Sequence, residues 1–184
     1  EDFNFSTGIQ SFENLKLPNS DRYQFILPYY NFSKRVFNDF KNGFMNFSSR
    51  GSNELNDTNN LKTKIINDFN FKSLNFISDV GFDNNFSLNF KNLNTIGKND
   101  SNYKSSPQIE LMSIIEYQSS FPLIKETEKN INYLTPKISL RLNPGDMKNS
   151  NELDRSINTD NIFDLNRLGL DDSFEEGKSL TIGL

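Results

Sequence analysis

The stretch LKTKIINDFNFKS, residues 61–73, changes character at every residue. Leu61, Thr63, Ile65, Asn67, Phe69 and Phe71 fall on one parity; Lys62, Lys64, Ile66, Asp68, Asn70 and Lys72 fall on the other. A period of two gives a strand one apolar and one charged face, and gives a helix no coherent stripe. NFSLNFKNL (85–93) sets Phe86, Leu88 and Phe90 against Asn85, Ser87, Asn89 and Lys91. QIELMSIIEYQS (108–119) sets Ile109, Leu111, Ile115 and Tyr117 against Gln108, Glu110, Glu116 and Gln118. YLTPKISLRL (133–142) sets Leu134, Pro136, Ile138, Leu140 and Leu142 against Tyr133, Thr135, Lys137, Ser139 and Arg141, and SLTIGL (179–184) closes with Leu180, Ile182 and Leu184. DFNFSTGIQ (2–10), RYQFILPYY (22–30) and FKNGFMNFS (40–48) keep the rhythm less cleanly.

The chain therefore predicts about eight strands of roughly ten residues, the length a tilted strand needs to cross a bilayer. Strands of globular proteins average about 5–6 residues. Composition sharpens the contrast. The mean hydropathy is −0.65, yet the chain carries 18 Phe and 6 Tyr. A membrane β-barrel reconciles these facts, because half of each strand faces a polar lumen. No apolar run is long enough for a transmembrane helix. Tyr29, Tyr30, Phe32, Tyr117, Phe121 and Tyr133 gather near strand ends, as an interfacial girdle or as the core aromatics of a soluble sandwich. The segments 48–60, 95–106 and 143–160 read as Asn/Asp/Ser-rich connections. No internal domain boundary is visible.

Chemistry is narrowed by what is missing. Without Cys or His there is no Cys/His zinc site, no Cys nucleophile and no His-based triad. A formal net charge of −4 with dispersed Lys and Arg weighs against a nucleic-acid partner. Phosphate-loop, dinucleotide, nucleophile-elbow and zinc-protease patterns are absent from the sequence. Asp171, Asp172, Glu175 and Glu176 form either a hard-cation cluster without EF-hand spacing or a solvated loop. Glu110 and Glu116 lie about 20 Å apart along one strand and cannot act as a carboxylate pair. The expectation is no enzyme, no cofactor and no metal.

The C-terminal half then carries a pattern. Phe121, Pro122 and Leu123 end one strand, and Leu134, Thr135, Pro136 and Lys137 open the next. An Asn/Asp-rich loop follows, then Asn161, Phe163, Asn166, Arg167, Gly169, Asp171 and Gly177 before the closing strand. This order resembles the barrel of the lipopolysaccharide-assembly outer-membrane protein family, LptD, also called organic solvent tolerance protein. The 161–177 motif carries most of the likeness; RYQFILPYYNFSKRV extends it loosely toward the N-terminus. Two departures stand out. The family has a basic residue after Gly-x-Asp where this chain has Asp172, and its cysteines are missing from this stretch.

The resemblance implies that residues 1–184 are an internal piece of a larger outer-membrane barrel, an antiparallel open curved sheet with unpaired edges. It also implies lipopolysaccharide as cargo, an LptE-type lipoprotein plug and a periplasmic bridge protein as partners, and the lipid bilayer as surroundings. The family-motif residues are Pro136, Asn161, Phe163, Asn166, Arg167, Gly169, Asp171 and Gly177. In NIFDLNRLG, Asp160 or Asn161 can cap a short helix bearing Ile162, Leu165 and Leu168, with Gly169 closing it. Such an element would fold against the barrel mouth or lumen, or remain a mobile surface loop. Another outer-membrane barrel, porin or receptor, and a soluble β-sandwich binding module are the rival readings.

Overall fold

The computed structural model describes residues 3–16, 23–39, 42–57, 59–147 and 156–184. Within them the chain is all β: β1 (Phe3–Glu13), β2 (Tyr23–Asp39), β3 (Gly43–Asn56), β4 (Asn60–Ser73), β5 (Phe76–Ile77), β6 (Asp83–Lys98), β7 (Gln108–Ser120), β8 (Leu123–Glu126), β9 (Ile131–Leu134), β10 (Lys137–Asn143) and β11 (Gly177–Gly183). Eight of these follow the path β1-β2-β3-β4-β6-β7-β10-β11, and β5 pairs with β6 beside it. The sheet is antiparallel and open, with β1 and β11 as its end strands.

The strands outrun the predicted ten residues: β2 has 17, β6 has 16, and β3 and β4 have 14 each. Residues 48–56, read as a connection, continue β3, and 95–98 continue β6. The polar composition hid them. Ser49 and Asn53 stand on a strand whose neighbours supply Asn67 and Thr63 as hydrogen-bond partners, so polar residues cross the ladder as readily as apolar ones. Asp2, Arg22, Phe40 and Lys41, at the ends of three predicted strands, lie outside the described residues, as does 148–155 of the predicted loop.

YLTPKISLRL is not one strand. Pro136 has no N–H to give a ladder, while its carbonyl accepts from Phe121 N at 2.9 Å. Beyond that closing bond β8 and β9 leave the main sheet and pair only with each other, Leu123 opposite Leu134 and Ile124 opposite Tyr133.

The predicted helix at 161–169 is also absent: the segment is a run of isolated turns. Ile162 N donates to Asn158 O, Asp164 N to Asn161 O and Gly169 N to Asn166 O, so no continuous ladder forms. Local side chains compete for the backbone. Asn158 Oδ1 accepts from the amides of Asp160 and Asn161, and Asn166 Oδ1 accepts from Leu170 N.

Two compact units can be distinguished, and in each the polar side of the inner strands is the covered side, while β1 is exposed on both parities. Unit 1 comprises Glu1–Val36, Asn46–Phe69 and Phe90–Leu111. Its apolar parity exposes Phe3, Phe5, Leu61, Ile65, Phe69 and Phe90. Its opposite parity buries Asp68 and Lys91, paired at 2.5 Å, beside the fully buried Ile66 and Leu93. The segment after β6 folds back along the strand end, Gly97 N bonding Lys104 O, and Lys62 Nζ lies 4.6 Å from the buried Tyr103 ring.

Unit 2 comprises Phe37–Met45, Asn70–Asn89 and Met112–Leu184. In it Tyr117, Leu140 and Leu180 form one cross-strand row and Glu116, Arg141 and Ser179 the row on the other face. Leu180 is 58% and Ile182 73% exposed, whereas Glu116 is 3% and Arg141 6% exposed. A globular sheet in water does the reverse.

A buried ion stripped of its partner is costly. Lys91→Ala is expected to destabilise the chain by about 3 kcal/mol by removing the charge opposite Asp68. Lys91→Ala combined with Asp68→Ala should cost less than Lys91→Ala alone, measured by urea unfolding.

Candidate functional site on the polar face of unit 2

The polar parities of β7 and β10 converge on the turn segment 156–176. Glu116 stands directly across the ladder from Arg141 and accepts from Ser139 Oγ at 2.6 Å. Arg141 donates from Nε to the Leu165 carbonyl at 3.0 Å and from Nη1 to Glu175 Oε2 at 2.9 Å. Arg167 grips the same carboxylate from the segment side, Nε to Oε2 at 2.9 Å and Nη2 to Oε1. Two guanidinium groups thus share one carboxylate, and the planar fork of arginine suits that geometry. Gln118 Nε2 donates to the Phe163 carbonyl at 2.8 Å, and Asn143 Nδ2 to the Glu175 carbonyl at 2.9 Å.

These bonds also explain why the segment is not helical. The carbonyls of Phe163 and Leu165 would serve the amides four residues on in a helix; here strand side chains take them. The segment is held as an irregular strap across the polar face. Above it a cavity of about 440 Å³ is bordered by Lys72, Asn85, Ser87, Asn89, Glu116 and Gln118, with Phe163 and Leu165 on the segment side. Its lining is mostly polar, which suits water or a polar ligand more than an apolar one.

The family-motif residues divide by role. Phe163 meets the sheet directly: its ring lies 4.5 Å from Lys137 Nζ, and a Cβ on Gly183 would fall 2.9 Å from that ring. Arg167 is joined to the sheet through Glu175, the carboxylate that Arg141 also binds. Asn161 and Asn166 instead shape the segment. Asn161 bonds Ser156 O and Asn158 N, and Asn166 bonds both backbone groups of Leu170. Gly169 at φ 58° and Gly177 at φ 93° occupy left-handed backbone that other residues rarely adopt. Gly177 opens β11 opposite Asn143, and Pro136 ends the hairpin. Asp171 is exposed, whereas Asp172 is buried.

Arg141, Gln118 and Glu116 were legible only as polar members of their strands, and Asn143, which ends β10, was read as the start of a connection. Nothing local marks them as partners of a segment more than twenty residues away. Glu175, read with the acidic cluster, is the charge partner of two arginines. Among the described residues no group of three or more acidic side chains is placed to hold a metal ion. Where a name would follow from likeness, no family model matches the chain, and neither a curated protein nor a solved structure is found to match it.

Glu175→Gln keeps the shape but removes the charge between Arg141 and Arg167. The strap should open more often by about 3 kcal/mol, roughly a hundredfold. Amide exchange over 156–176 should rise accordingly while β1 and β2 remain unchanged, read by hydrogen–deuterium exchange.

Proposed function

We propose that this chain is part of an outer-membrane β-barrel of the LptD type, in which lipid solvates the apolar face and the polar face borders a hydrated passage for lipopolysaccharide. The observation that carries the reading is the inverted burial. Large apolar side chains stand exposed along whole strands while carboxylates, guanidinium groups and amides of the opposite parity are covered. An exposed apolar face of this extent would associate in water, and hydrocarbon removes that penalty. Lys91, Glu116 and Arg141 are stable where they have partners and nearby water rather than lipid.

The soluble sandwich would need a second sheet over the apolar face. Among the described residues the other sheet is β8–β9, every residue of which is exposed. A porin-like barrel shares the two faces. What favours the transport family is the 161–177 segment, whose Phe163 carbonyl and Glu175 carboxylate are fastened to the polar face by Gln118 and Arg141 instead of extending into solvent.

The task needs no bond chemistry. A polar sugar passes along the hydrated side while acyl chains leave between strands into lipid. An LptE-type lipoprotein and a periplasmic bridge protein would deliver and guide the cargo. Within this scheme the strap narrows an opening that a wide barrel would otherwise leave.

Removing residues 161–177, with a short Gly/Ser bridge in their place, should raise outer-membrane permeability to bulky solutes such as large antibiotics. Unchanged permeability with normal barrel assembly would count against the strap as a restriction.

A further inference from the structure

Taken over their full length, several strands are longer than a bilayer requires. β6 has 16 residues and β4 has 14, where a tilted spanning strand needs roughly 9–11. Some of the apolar face must therefore stand clear of hydrocarbon, and the side chains of that face show where the change falls.

Two cross-strand rows lie next to each other on it. In the first, Phe5 pairs with Phe32, Phe32 lies 6.0 Å from Phe47, and Phe47 lies 4.7 Å from Phe69. In the second, one register step away, Thr7 pairs with Tyr30. Tyr30 Oη and Ser49 Oγ are hydrogen-bonded at 3.1 Å, and Ser49 Oγ donates to Asn67 Oδ1 at 2.7 Å. Asn67 Nδ2 then donates to Asn92 Oδ1 at 3.0 Å, and Asn94 Nδ2 reaches the same oxygen at 2.7 Å. Asn67 shares the parity of Ile65 and Phe69, and Asn92 that of Leu88 and Phe90, so this polar ladder stands on the apolar face. The Tyr30 ring lies over Gly51, where a Cβ would fall 2.4 Å from it. Further along, Thr63 Oγ1 donates to Asn53 Oδ1 at 2.7 Å.

An asparagine side chain offers two donors and an acceptor with two lone pairs, more than the ladder bonds use. In hydrocarbon the remainder would cost several kcal/mol; among headgroups and water it is satisfied. The phenylalanine row has no polar atom to satisfy. We propose that the Tyr30–Ser49–Asn67–Asn92 ladder marks the level at which lipid hydrocarbon gives way to headgroups. The phenylalanine row is immersed just inside that level, and the Asn53–Thr63 pair lies outside it, with Ile65 at the boundary between them and Leu61 beyond. This rests on the membrane reading above and adds the depth at which the sheet sits.

The chain has no cysteine, so a nitroxide can be placed at one position at a time. Phe69→Cys reads the immersed row and Thr63→Cys the outer pair, each in the intact protein reconstituted in phospholipid vesicles. Collisions with oxygen, which concentrates in hydrocarbon, are compared with those of a water-soluble nickel chelate. Oxygen should dominate at position 69 and nickel at position 63, a reversal across the ladder. Oxygen dominating at both would place the ladder inside the hydrocarbon and overturn this inference while leaving the membrane reading intact. Nickel dominating at both would overturn the two together, and the opposite reversal would overturn the assigned direction. If Phe69→Cys fails to assemble, Phe5→Cys on the end strand reads the same row.

Discussion

A sheet that leaves its oily side exposed and covers its polar side must find a partner for the polar groups it covers. An unpaired buried amide costs about 1–3 kcal/mol and a buried charge stripped of its partner more. The consequences run through the whole chain. Lys91 faces Asp68, Ser139 donates to Glu116, and Arg141 and Arg167 converge on Glu175. Such bonds are directional, so they hold the covered face in one arrangement where an apolar layer would tolerate several. Net stabilisation from buried ion pairs is modest; what they supply here is position.

Position is what the strap needs. Its backbone is too rich in Asn to sustain a helix, because Asn158, Asn161 and Asn166 each bond neighbouring backbone groups. A segment of isolated turns has little stiffness of its own. Gln118 and Arg141 supply it by taking the carbonyls of Phe163 and Leu165, while Asn143 takes that of Glu175. The same side chains that would otherwise be costly to cover thus become the fastening of the element proposed to narrow the passage.

Much of this architecture was legible in advance. The alternation in 61–73 and 108–119 marks β4 and β7 to within a residue, because a two-residue period survives any tertiary context. The parities were right as well: Leu140 and Leu180 share one face with Tyr117, and Glu116 and Arg141 share the other. Where the reading failed, the cause was local composition. The segment 48–56 is polar on both faces and resembles a loop until Asn67 and Thr63 are seen across the ladder. Thr135 and Pro136 sit inside a convincing alternation, yet the missing N–H of Pro136 lets β8 and β9 depart as a separate hairpin. Ile162, Leu165 and Leu168 have helical spacing, and neighbouring asparagines override it.

The sequence by itself determined that the chain is a set of long strands with one oily and one polar side, since side-chain direction in a strand follows from the backbone pleat alone. It also marked Gly169 as a place where the chain turns, and the structure gives it a left-handed backbone. Only the tertiary structure decided which side would be covered, that Glu175 would lie between two arginines from different elements, and that polar residues of four strands would join into a ladder on the apolar face. Those outcomes depend on register and on contacts between residues distant in the chain. Parity fixes the side of a sheet on which a residue falls, but only cross-strand alignment fixes its partner.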